Sequence, residues 1–298
     1  MHRASLAVTM LLSALILSQV RLTSVAAWGD EGHRFINRVA ADKLPSDMPA
    51  FFRDSAARLS YLGPEPDRWR DTRGGLAALA GQNGPDHFID IDSPESFDAI
   101  PNDRYQYSEW LRAKGKDAKA IGFLPYSILE GYEKVLVLFR LWRDPRHESE
   151  RADIEQNIVY SAGVMGHYVA DGSQPLHATI HFNGWSGSSN PESFTREPLH
   201  GRFESDYVKA NIKPEDFSEM VKPARVLKDP FSDIMKYLLD SYNRVPELYR
   251  MDKTARWDAS NHSPEAKQFV SARLAAGSQM LGDLWYTAWV NSAGADRR

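Results

Sequence analysis

Apolar positions recur at three- and four-residue spacing along nearly the whole chain after residue 28, and strand-like alternation never persists beyond a few residues. From His33 to Leu44, Phe35, Ile36, Val39, Ala40 and Leu44 fall on one stripe, which predicts an amphipathic helix. Ser46 stands where an N-cap would open a second helix running to Leu62. The same spacing predicts helices over Phe123–Trp142 and Ala152–Asp171, and near 200–211, 230–249 and 264–290. The Trp-rich stripe of the last segment reads as core. Gly172 and Pro175 should end the helix that carries Asp171. Thr179 to Pro198, rich in Gly, Ser, Asn and Pro, reads as a long loop of the kind that often carries function. With no repeat, linker or break in composition, the pattern predicts a single all-α domain over 28–298.

Composition narrows the class. Apolar residues make up 42% and aromatics 11%, enough for a buried core, so a disordered chain is excluded. The first 27 residues read as a signal peptide: His2 and Arg3, an apolar run from Leu6 to Val20, then Val25-Ala26-Ala27 as a cleavage site. The run is short for a membrane span, so no stable membrane insertion is expected. The expected product starts at Trp28 and is secreted or periplasmic. Losing Arg3 and Arg21 takes the formal charge from -4 to -6. A net acidic chain lacks the broad basic surface of a tight duplex-DNA binder. There is no cysteine, so any metal must be held by His, Asp, Glu, backbone or water.

The chemistry concentrates in His167-Tyr-Val-Ala-Asp171-Gly-Ser-Gln-Pro-Leu-His177. On a helix, His167 and Asp171 leave the same face one turn apart, and the break that follows turns His177 toward a different centre. His200 and Glu204 repeat the four-residue imidazole–carboxylate spacing. An isolated pair of this kind is more often a surface contact or cap. Two pairs with His177 in a cysteine-free helical chain point instead to metal. His147 and His262 sit in polar surroundings and are expected to face solvent.

Taken together, Trp28-Gly-x-x-Gly-His33, His87-Phe-Ile-Asp90, His167-Tyr-x-x-Asp171-x-x-Gln-Pro-x-His177 and His200-x-x-x-Glu204 span most of the chain after residue 28. In this order the chain resembles the secreted zinc-dependent phosphodiesterases, which include single-strand-specific nucleases of the P-one type and bacterial zinc-dependent phospholipase C. The resemblance implies three zinc ions in a cleft between helices. One would take an early aspartate with His87, His167 and Asp171. A second would take His177, His200 and Glu204. The third would take the terminal amine and carbonyl of Trp28, with His33 and a bridging Asp171, and so would depend on signal cleavage. Asp67, in Pro-Asp67-Arg-Trp-Arg70, suits the early position and makes Arg70 a phosphate contact; Asp71 is the competitor. Asp90 matches the position that orients the attacking water, against a reading as a turn cap.

Zinc chemistry suits that assignment, since the metal lowers the pKa of bound water to about 7. Asp67, Arg70 and Asp90 are the expected catalytic set. The substrate expected is single-stranded nucleic acid or nucleotides, cut by a monomer. A phospholipid headgroup is the alternative, because Glu204 stands where nucleases usually carry aspartate. A non-catalytic periplasmic zinc-binding protein is a third reading. His181 and Trp185, just past His177, are candidates for a wall that stacks a base or meets a headgroup, against ordinary loop packing.

Overall fold

The computed structural model describes residues 28–92 and 99–294. The expected signal peptide lies outside the described residues. Within them the chain is all-α, with no β-strand. In chain order the α-helices are α1 Gly29–Asp42, α2 Ala50–Arg53, α3 Ala56–Leu62, α4 Glu65–Arg68, α5 Ala77–Asn83, α6 Arg104–Ala113, α7 Ala118–Ile121, α8 Leu124–Arg143, α9 Arg151–Ser173, α10 Val208–Asn211, α11 Pro230–Asn243, α12 Val245–Thr254 and α13 Pro264–Ser292.

Helix α9 is the centre of the bundle, packed by α1, α3, α8 and α13. Its second half, from Met165 to Ser173, is buried on every side, so the His167 and Asp171 it carries need partners inside the core. The stripe of α1 delivers Ile36 and Val39, α3 delivers Leu59 and Leu62, and α8 delivers Phe139. The last helix, α13, adds Leu281, Leu284 and a fully buried Trp285, whose indole ring meets Phe52 edge-on at 5.4 Å. Trp285 is therefore core, as the stripe predicted, and Trp289 packs half-buried against it. Ser263 caps that helix by accepting from the Ala266 N–H at 3.2 Å. None of the helices is long and apolar enough to cross a membrane among the described residues.

Several boundaries differ from the sequence reading. Ser46 does not cap a helix to Leu62. Pro49, which disfavours helix in the residue before it, delays the start to Ala50, and the helix breaks again before Ala56. The segment near 230–249 is two helices, interrupted at Arg244, with Pro246 in the first turn of the second. Around Arg202–Tyr207 the backbone widens into a π-turn, a feature that often accompanies function. Gly172 lies inside α9 rather than ending it. A side chain there would meet Tyr237 Cε1 at 2.7 Å, so close packing against α11 accounts for the glycine. Pro175 does stop the helix, and the Gln174 side chain caps the 3₁₀ turn that follows.

Candidate metal centre

Three side-chain groups meet around the buried half of α9. Four atoms form the first: Asp67 Oδ1, His87 Nδ1, His167 Nε2 and Asp171 Oδ2. His87 Nδ1 lies 2.9 Å from His167 Nε2 and 3.0 Å from Asp171 Oδ2. His167 Nε2 lies 3.4 Å from Asp171 Oδ2, and both ring nitrogens lie 3.9 Å from Asp67 Oδ1. Metal–ligand bonds of about 2.0–2.1 Å in a tetrahedron set ligand atoms about 3.3 Å apart, and these spacings bracket that value. Of Asp67 and Asp71, it is Asp67, near the end of α4, that stands in this group. Asp71 faces solvent and pairs with Arg73 at 2.5 Å.

The second group is three-cornered. His200 Nε2 stands 2.7 Å from Glu204 Oε2 and 3.2 Å from His177 Nε2, and His177 Nε2 is 3.7 Å from Glu204 Oε2. The π-turn carries Glu204, and the 3₁₀ turn after Pro175 carries His177, so the helix break does separate His177 from the first group. A third group joins His33, His167 and Asp171, with His33 Nε2 3.5 Å from Asp171 Oδ1 and the two imidazoles stacked at 3.9 Å. Trp28 is fully buried beside it, held by its indole N–H to the Ala170 carbonyl at 2.8 Å. In the full-length chain the Trp28 N–H donates to Glu204 Oε2 at 3.1 Å, and its carbonyl accepts from Gly32.

Backbone carbonyls fix most of the rings. His167 Nδ1–H donates to Gly63 O at 2.8 Å, His200 Nδ1–H to Phe182 O at 2.9 Å, and His177 Nδ1–H to His87 O. Each bond leaves a bare Nε2 facing the cluster, the arrangement that orients a metal-binding histidine. His87 is the exception: its Nδ1 faces inward and its Nε2 accepts from the Asn83 amide at 3.0 Å. The ring proton then sits on Nδ1 toward Asp171; a neutral His87 that ligated through Nδ1 would instead carry its proton on Nε2, facing the Asn83 side chain.

Electrostatics favour a cation. Burial pushes the histidines His87, His167 and His177 below their ordinary range, so they are neutral donors. Burial, then the nearby Asp67 and Glu204, hold Asp171 well up. Asp67 is raised to about 7 by burial against the pull of Arg70. For Glu204 burial acts upward, but the adjacent His200 and His177 carry it down to about 2. Asp67 Oδ2, Asp171 Oδ1 and Glu204 Oε1 are buried and accept no hydrogen bond. Buried polar atoms are rarely left so. Three such carboxylate oxygens among neutral imidazoles fit divalent cations, and an all-N/O donor set fits zinc.

The clusters open into a cleft of about 340 Å³ lined by Arg70, His87, Phe88, Asp90, His177 and Phe182, among others. Arg70 donates to Asp67 Oδ1 at 3.2 Å. Asp90 borders the cleft, and burial together with Asp92 raises it to about 7. Of the two readings of His181 and Trp185, the structure has loop packing. Their rings stack on each other at 3.7 Å, and Trp185 packs on Phe194 and Tyr249, which folds the loop. Phe182, 48% exposed, lines the cleft between them. No periodicity marks it, so only its place in the loop pointed there. Of the remaining histidines, His147 pairs with Glu150 at 2.6 Å and His262 meets Asn211 at 2.7 Å, both outside the cluster.

Gly122 packs against the backbone of Phe88, a residue of the cleft wall. Its φ of 100° and ψ of 167° belong to a region that only glycine occupies readily, and any side chain would collide with the Phe88 carbonyl. Gly122→Ala should therefore cost about 1–3 kcal/mol and shift Phe88 and Asp90 together. A thermal melt with parallel turnover checks this; an unchanged melting temperature would contradict it.

No family model matches the chain, and no curated protein sequence matches it. Among solved structures, the alpha toxin from Clostridium absonum is similar at 14% identity and a TM-score of 0.44, over 90% of this chain and 67% of that one. The Clostridium perfringens alpha-toxin isolated from avian strain SWCP is similar at 16% identity and a TM-score of 0.38, over 92% of this chain and 66% of that one. The chain thus spans about two thirds of the length of either toxin.

Proposed function

We propose that this chain is a zinc-dependent phosphodiester hydrolase. The observation that carries the reading is the convergence of His, Asp and Glu side chains, all buried but for the nearly buried Asp67, into three groups at the back of one cleft. Asp67, His87, His167 and Asp171 would hold one ion; His177, His200 and Glu204 a second; His33 and Asp171 a third, completed by the amine and carbonyl of Trp28 once export has removed residues 1–27. Bound zinc supplies water that ionises near neutral pH and positive charge for the phosphoryl oxygens. Arg70 holds a phosphate oxygen from the cleft side. Asp90, poised near neutrality, takes the proton of the attacking water. The proposal places the mature chain outside the cytoplasm, as a monomer.

For the substrate we favour a phospholipid headgroup. Arg70 is the one cation among the described residues lining the cleft, and Pro85, Phe88, Leu176 and Phe182 make its walls apolar. A strand of nucleic acid calls for a basic groove along its backbone. The aromatic faces of Phe88 and Phe182 support the second reading, a nuclease that stacks a base. Purified mature protein should release phosphocholine from short-chain phosphatidylcholine, and a chelator should stop it. Turnover of single-stranded DNA or RNA without lipid would favour the second reading. Zinc uptake with no phosphodiester turnover at all would overturn both in favour of a zinc-binding protein.

A further inference from the structure

We propose that the rim of the cleft docks on a phospholipid bilayer containing anionic lipid, through the apolar segment 74–81 and the basic segment 112–119. The inference rests on the phospholipid reading above and adds the surface from which the headgroup would enter. Gly74 to Gly81 holds no polar side chain, and all of it but Ala80 is exposed. Leu76 is 67% exposed and Leu79 53%. Globular proteins rarely leave an uncharged apolar run in the open, and such a patch marks a contact surface. The run leads straight into the cleft. Helix α5 packs on the 3₁₀ turn Gly84–His87, whose Gly84, Pro85 and His87 line the opening. Arg104 donates to Asp86 of the same turn at 2.6 Å, which brings the 78% exposed Tyr105 to that side. Past His177, Ile180 and Phe182 are exposed too, and Phe182 lines the cleft. Single exposed apolar side chains are ordinary; here five stand on the segments that border one opening.

Charge decides what covers this rim. Arg112, Lys114, Lys116 and Lys119 stand against one acid, Asp117, within 112–119, in a chain of formal charge -4. Arg112, Lys116 and Lys119 line one depression. Their segment borders the same opening, since α7 packs on the 3₁₀ turn and its Ala120 lines the cleft. An apolar run beside clustered cations is the pairing that holds a protein at an anionic lipid surface, the cations drawn to phosphate and the apolar side chains to the acyl boundary. A strand of nucleic acid would use the cations but leave the leucines in water. A second copy of this net acidic chain would cover the leucines but has no use for the cations.

The test is flotation of the zinc-loaded mature chain with vesicles of phosphatidylcholine and phosphatidylglycerol, carrying Asp90→Asn to slow lipid turnover. The chain should float with these vesicles and less with phosphatidylcholine alone. Leu76→Gln with Leu79→Gln should weaken binding about 100-fold, close to tenfold for each leucine. Arg112→Gln with Lys119→Gln should weaken it about 25-fold, close to fivefold for each charge, and should remove most of its salt dependence. With Asp90 restored, both double variants should turn over monomeric short-chain phosphatidylcholine as wild type does, because neither touches a ligand group. Vesicle binding unchanged in either double variant would overturn the proposal. So would a dimer in solution that the leucine substitutions dissolve, or binding of single-stranded DNA through the cations with no vesicle binding. A chain that cleaves the monomeric lipid but does not float defeats this inference alone. One that floats through these residues but cleaves no lipid upholds the docking face and defeats the phospholipid reading.

Discussion

Asp171→Asn is expected to lower phosphodiester turnover by about 10²–10³-fold or more, the scale seen when one preorganised electrostatic partner is lost, while leaving the metal-free fold at least as stable. No other side chain touches so much of the cluster. Its carboxylate lies 3.0 Å from His87, 3.4 Å from His167, 3.5 Å from His33 and 3.9 Å from His177. Asparagine keeps the shape but removes the charge that a metal ion needs and adds an N–H pointing into the centre. In the chelated protein burial already holds Asp171 well up, toward its neutral form. The amide therefore takes over a site where the folded chain disfavours charge. Zinc at about a thousandfold excess over its Kd stabilises a wild-type fold by about 4 kcal/mol, and most of that rise should vanish in Asp171→Asn. Melts with and without chelator, alongside turnover, read both effects. A variant that keeps a tenth of the activity would remove Asp171 from the centre of the account.

The second large effect is on pH. Asp90 is raised to about 7, by burial first and by Asp92 second. As a proton acceptor it works only when ionised, so turnover should climb as pH rises through about 7, and Asp90→Asn should flatten that limb along with a large loss of rate. The linkage to stability has the opposite sign. A carboxylate whose folded pKa exceeds its unfolded value binds more protons when folded, so its contribution favours the fold at low pH and is lost as pH rises. Asp90 and Asp67, each raised to about 7 from 3.8, set that window between about 4 and 7 for the chelated protein. His87, His167 and His177, held below their ordinary 6.5, act the other way, so the carboxylate contribution is read as a difference: chelated Asp90→Asn should lose less stability than chelated wild type between pH 5.5 and 7.5. An Asp90→Asn profile that keeps the wild-type limb would assign the proton to another group.

The long elements and the paired ligands were legible because both obey one geometry. A stripe at three and four residues builds α1, α8, α9 and α13, and the same four-residue step sets His167 with Asp171 and His200 with Glu204. His177 was legible because Pro175 must end the helix before it. The choice between Asp67 and Asp71 was not, since both lie close to Arg70 in sequence and only packing of α4 on α9 turns one of them inward. Helices α4 to α7 are too short for periodicity to declare them. Gly172 misled because a glycine that admits Tyr237 looks, in one dimension, like a glycine that ends a helix. Phe182 carries no spacing signal; the fold of the long loop brings it to the cleft.

The central claim is a multinuclear metal centre behind one cleft. Elemental analysis of purified mature protein beginning at Trp28 tests it most directly. The three ligand groups predict about three zinc ions per chain, and one or none would contradict the account.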